Sequence, residues 1–151
     1  MIELLTADTP NGKKISIMLE EINFEYKVTK ININQWLMGQ VSYIGPMLGQ
    51  HHQFHHYNHG KSEFGENRYF KISERIYKEL DERLSVSKFL ASEDYSIADI
   101  ATFPWIARHE WHDIGLKKFV NLKRWYEEIS KRHAVQKGYD LLKTGEEIPK
   151  A

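Results

Sequence analysis

Residues Met1 to Thr6 form a short apolar run, MIELLT, followed at once by the turn-forming string Asp8-Thr9-Pro10-Asn11-Gly12. That pairing reads as a buried strand entering a loop. Over Lys13 to Ile22 the apolar residues Ile15, Met18, Leu19 and Ile22 recur on one helical face, and Tyr26, Val28, Ile31 and Ile33 predict a second strand directly after. Strand, helix, strand is how a parallel β–α–β unit begins, with the loop after the first strand on the ligand side.

From Gln35 onward the spacing becomes helical throughout. Leu37, Val41, Ile44 and Leu48 alternate steps of four and three, and Pro46, inside that stripe, is expected to kink or end the helix because it removes a backbone donor. In the next helix Tyr69, Ile72, Ile76, Leu80 and Leu84 mark the buried face, with Glu74–Lys78 and Glu79–Arg83 as i,i+4 pairs on the wet one. A third helix starts at Ser96, whose side chain caps the free amides while Asp99 bonds back, and Tyr95 and Ile100 occupy the two positions of a hydrophobic staple. Leu122, Trp125, Tyr126 and Ile129 define a last helix, and the polar tail from Thr144 to Ala151 is expected to fray.

With 151 residues, 41% of them hydrophobic, the chain has ample material for one soluble domain or two small halves sharing a core. Its formal net charge of zero gives no field that would draw nucleic acid or an anionic membrane. No segment reaches the ~20 apolar residues that span a bilayer. The N-terminus lacks the basic region of a secretory signal, so the cytoplasm is the expected compartment. Cysteine is absent. Any sulfur chemistry must therefore use a thiol supplied by the substrate.

Four motifs stand in order along nearly the whole chain: TPNG at Thr9–Gly12, GPMLGQ at Gly45–Gln50, YSIADIATFPW at Tyr95–Trp105, and NLKRWYEEI at Asn121–Ile129. Together they resemble the glutathione-transferase superfamily, and within it the bacterial disulfide-bond oxidoreductase branch. Val120 and His133 stand where that family carries prolines. The resemblance implies an α/β N-terminal thioredoxin-like half over 1–34, incomplete as given, and an all-α C-terminal glutathione-transferase domain over 35–151. It also implies roughly fifty to sixty residues between Asn34 and Gln35, enough to finish a small domain. They would carry a cis-proline turn, an antiparallel strand pair and the Glu-Ser pair that holds the γ-glutamyl end of glutathione. Either the sequence joins two pieces around an omitted segment, which is the expectation here, or the segment has been deleted.

The activity implied is that of a glutathione-dependent transferase or disulfide-bond oxidoreductase, with glutathione as a substrate, a small electrophile or disulfide as its partner, and no metal. The rival is a non-enzymatic binding or regulatory module on the same fold. A homodimer is implied as well, through the helix carrying Gly39, Gly45 and Gly49 and the helix that follows it, since three glycines in one helical stretch point to close backbone approach.

Thr9 and Asn11 sit where a strand turns into a helix N-terminus, so a hydroxyl, an amide and free backbone N–H groups are placed to stabilise a sulfur anion. The resemblance gives them the role of orienting the glutathione sulfur, with Gly12 beside them in the substrate site; the bland alternative is a turn with Asn11 as helix cap. Arg108 is placed to grip a glutathione carboxylate with two prongs, or else to pair with Glu110 or Asp113 on the surface. Tyr43, Trp36 and Phe54 are candidates to line a pocket for the second substrate, against the alternative that they are core. Five histidines fall within His51 to His59, with i,i+4 pairs that can chelate a metal, but no carboxylate inside the run completes a site. The bland reading of that run is a polar helix end near the substrate cleft.

Overall fold

The computed structural model describes residues 2–6, 10–30, 32–142 and 144–151, with side chains over 13–25, 33–142 and 144–151. Strand β1 (Ile2–Thr6) pairs in parallel with β2 (Tyr26–Lys30), in register from Ile2 opposite Tyr26 to Thr6 opposite Lys30, and α1 (Pro10–Glu21) connects them. Ile33, expected to extend the second strand, belongs instead to α2 (Asn32–Gly39). Only Leu19 of the α1 stripe is buried, while Ile15, Met18 and Ile22 remain exposed. A sheet of two strands is too narrow to cover a helix face.

Helix α2 runs unbroken across Asn34 and Gln35 and continues through a π-helical segment (Gln40–Ile44), α3 (Gly45–His51) and a second π-helical segment (His52–Tyr57). Pro46 does not end this helix. The Gly45 N–H reaches back to the Gln40 carbonyl in the wider π ladder, and Pro46 then falls in the first turn of α3, where a missing donor costs little. The π turn also changes the phase of the stripe: Ile44 and Leu48 are buried, but Val41 is exposed.

Behind this helix lie α4 (Glu63–Ser85), α5 (Ile97–Ile106), α6 (Val120–Ser130) and α7 (His133–Tyr139). Ile76, Leu80 and Leu84 of α4 meet Phe103 and Ile106 of α5 and Leu122, Trp125, Tyr126 and Ile129 of α6 in one core. Neither of the two expected surface pairs forms, because better partners compete. Glu74 pairs with Lys118 at 2.7 Å, and Arg83 donates to the carbonyls of Leu90 and Ala91. The i,i+4 pairs on α4 are Arg75–Glu79 and Lys78–Glu82. Asp81 of α4 accepts the Asn121 and Leu122 N–H groups at 2.8 Å each, capping α6 from outside and making a proline at 120 unnecessary. The tail does not fray: the Tyr126 hydroxyl donates to the Pro149 carbonyl at 2.7 Å, and Ile148 and Ala151 pack against the core.

Candidate functional site

The capping box forms as the sequence predicts. Ser96 Oγ accepts from the Ala98 N–H, and Asp99 Oδ2 accepts from the Ser96 N–H at 3.0 Å, which fixes where α5 begins. Asp99 is fully buried, and its other oxygen takes the Leu90 N–H at 2.9 Å and the Trp125 indole N–H at 2.8 Å. The start of α5 is thereby locked to α6, and its far end delivers Trp105 and the turn carrying Arg108 and Trp111 to a fixed place.

That place is an apolar cavity of about 650 Å³. Ile100, Phe103 and Pro104 of α5 form one wall, and Val135 and Tyr139 of α7 form another. Two arginines stand at its rim, each laid on an aromatic face. Arg108 lies 4.4 Å from the Trp111 ring centre and pairs with Glu146 at 2.6 Å, while Arg132 lies 3.9 Å from the Tyr95 ring centre. Such stacking holds a guanidinium in place, and the edge of Arg108 is engaged by Glu146.

His52 also lines the cavity, and it belongs to a ladder of stacked rings. Its imidazole lies 4.6 Å from that of His112 with 7° between the planes, and His56 stacks on Trp111 at 4.2 Å. His51 Nε2 donates to the His112 carbonyl at 3.0 Å, and the Tyr77 hydroxyl meets His112 Nδ1 at 2.7 Å. Burial, reinforced by His51 and Arg108, pushes His52 down to about 4; burial, reinforced by His52 and His51, pushes His112 down to about 2. Both rings are therefore neutral near pH 7. His52 Nε2 is buried and has no hydrogen-bond partner among the described residues. A buried polar atom left so at a cavity wall is a ready contact for a ligand.

Of the residues singled out from sequence, Thr9 lies outside the described residues, and Asn11 and Gly12 stand in the first turn of α1 with side chains outside them. Arg108 pairs with Glu146 rather than Glu110 or Asp113. Tyr43 accepts a hydrogen bond from Arg75, Trp36 lies 5.8 Å beneath Arg83, and Phe54 stacks on Tyr69; the cavity is built from other residues. Arg132, Tyr139 and Glu146 carried no signal in the sequence, whereas His52 stood in the histidine run read as a helix end near the substrate cleft. A Cβ on Gly45 would come within 2.8 Å of Gln40 Nε2 and 3.1 Å of Trp105, so Gly45 makes room for side chains of its own chain; one on Gly49 would make ordinary contact with Trp105 at 3.6 Å, and Gly39 faces open space among the described residues.

Residues 52–133 match the family described as glutathione S-transferase, C-terminal domain. The chain is 29% identical to the disulfide-bond oxidoreductase YfcG of Escherichia coli, covering 95% of each protein; that alignment spans 207 positions, more than this chain has residues, so the relative carries a segment without counterpart here. It is 34% identical to the disulfide-bond oxidoreductase YghU of the same organism, over 68% of this chain and 37% of that one. Among solved structures it resembles a glutathione transferase from Pseudomonas putida with one glutathione disulfide bound per subunit. There the TM-score is 0.67 and the identity 27%, over 92% of this chain and 90% of that one. The helical bundle, the capped start of α5 and the match over 52–133 place the chain in the glutathione S-transferase family.

Proposed function

We propose that this chain is a glutathione-dependent disulfide-bond oxidoreductase or transferase, in which glutathione supplies the thiol and the cavity beside Arg108 receives the apolar body of the second substrate. The observation that carries this reading is the cavity itself: aromatic walls, two stacked guanidiniums and the unpartnered His52 Nε2, in a chain without cysteine. In the disulfide reaction the glutathione thiolate attacks one sulfur of the substrate disulfide, a mixed disulfide forms and the other sulfur leaves as a thiolate. A second glutathione then releases glutathione disulfide and the second thiol. Thr9 and Asn11 are assigned to orienting the first thiolate, Gly12 to leaving room beside it, and Arg108 to a carboxylate of the bound molecule.

The β1–α1–β2 unit is read as the start of a thioredoxin-like half, and the pairing of two copies through the long helix carrying Gly39, Gly45 and Gly49, on which Met38 of α2 and Val41 of the first π-helical segment are exposed, as the assembly. Among the described residues no helix is long and apolar enough to cross a membrane, and a reducing cytoplasm suits a chemistry that consumes glutathione. The uncovered face of α1 favours a second reading, a binding module whose sheet is completed by a partner.

Glutathione-dependent reduction of 2-hydroxyethyl disulfide, coupled to glutathione reductase, separates the two. Turnover that falls at least tenfold in both Thr9→Ala and Asn11→Ala supports the enzyme. Glutathione binding by calorimetry with no turnover points to the module.

A further inference from the structure

Glu66, in the first turn of α4, closes over two histidines of the preceding segment. Its Oε2 lies 3.2 Å from His59 Nδ1, and its Oε1 accepts the Gly60 N–H at 2.6 Å. His55 adds a third donor: one ligand atom from each of His55, His59 and Glu66 lies within 4.8 Å of the other two. Ligands around a tetrahedral zinc at ~2.0–2.1 Å stand about 3.3 Å from one another. The His59–Glu66 pair is already at that spacing, and the His59 ring stands edge to face with His55, 5.6 Å between centres.

The donor set decides the kind of ion. Two imidazoles and one carboxylate suit zinc, cobalt or nickel, whereas calcium and magnesium demand more oxygens. The supports that such ligands need are also present. The Gly60 amide fixes the carboxylate by a hydrogen bond, and the His55 ring packs on His51 at 4.9 Å with 11° between planes. Gly60 itself has φ +78°, so the turn that brings His59 back over α4 depends on a residue without a side chain. The histidine run alone lacked a carboxylate; the next helix supplies it.

We propose that His55, His59 and Glu66 form a binding site for a borderline divalent cation such as zinc, which pins the turn between the second π-helical segment and α4. Three protein ligands leave a fourth position for water. None of the three residues lines the cavity.

The test uses the tag-free chain, stripped with EDTA and titrated with zinc chloride by calorimetry, with cobalt absorption as a second readout. His59→Ala removes a ligand with an exposed side chain, and Glu66→Gln keeps an acceptor for Gly60 while removing the carboxylate. The expected result is one zinc per chain, a melting temperature that rises with zinc concentration, and affinity at least tenfold weaker in each variant with far-UV circular dichroism unchanged. No uptake at 0.1 mM zinc, or uptake of equal affinity in both variants, meaning an adventitious ion only, overturns the proposal.

Discussion

The Trp125 indole N–H donates to Asp99 Oδ1 at 2.8 Å, while Asp99 Oδ2 serves the backbone and hydroxyl of Ser96. One carboxylate thus closes a helix cap and ties two helices together.

Removal of the two halves of the capping box should therefore be unequal. Ser96→Ala loses the cap alone and should cost on the order of 0.5 to 2 kcal/mol. Asp99→Ala also strands the Leu90 N–H and the Trp125 indole in the core, at about 1–3 kcal/mol for each buried donor left unpaired. The double variant should lose less than the sum, because the two residues share one network. Urea midpoints for the three variants check this, and equal losses for the two singles would contradict it.

Acid should unfold the protein through its buried histidines. His52 and His112 are held at about 4 and about 2 in the folded chain, below the ordinary 6.5, so the unfolded state binds more protons once the pH drops below that value. Stability is lost as pH falls through 6.5, down to about 4 for His52 and on to about 2 for His112. Between pH 7 and 5 each of these groups should remove on the order of 1–2 kcal/mol. Urea titrations at pH 7, 6 and 5 would show it, and His52→Gln should flatten the slope.

The Arg108–Glu146 pair holds the guanidinium that the proposed substrate contact needs. Glu146→Gln should free it and tighten binding of an anionic aromatic ligand several-fold. Arg108→Ala should weaken that binding, and with Arg108→Ala already present, Glu146→Gln should have no further effect. Fluorescence quenching of Trp105 and Trp111 by such a ligand gives the affinities.

Glycine substitutions should separate by position. A Cβ at Gly65 would meet the Phe54 ring at 2.5 Å, so Gly65→Ala should cost about 1–3 kcal/mol through overpacking. Gly39→Ala meets nothing among the described residues and sits in α2, so it should stabilise by roughly 0.5–1 kcal/mol through helix propensity. Thermal melts of both variants decide the matter.

The elements legible in the sequence were those written in local spacing. The stripe Ile76, Leu80, Leu84 and the box Ser96–Asp99 each depend on residues within a few turns, and both lie where the pattern put them. The π turns were hidden because steps of three and four fit an ordinary helix equally well. Glu74 and Arg83 were mispaired because the sequence cannot show that Lys118 and the carbonyls of Leu90 and Ala91 arrive beside them. The cavity was hidden for the same reason: His52 and Arg108 were visible as residues, but Tyr139 and Glu146 come from beyond them in the chain and meet them only in the fold.

The π-helical segment at Gln40–Ile44 makes the residue count of this helix part of its specification. One residue fewer there would restore an ordinary helical ladder and rotate everything beyond it by about 100°. The motif GPMLGQ would remain letter for letter, yet Gly45 would no longer face Trp105, and His52 would swing off its stack with His112. Relatives that keep the letters but differ in length at this point are therefore geared differently, and the resemblance of their motifs overstates the resemblance of their cavities.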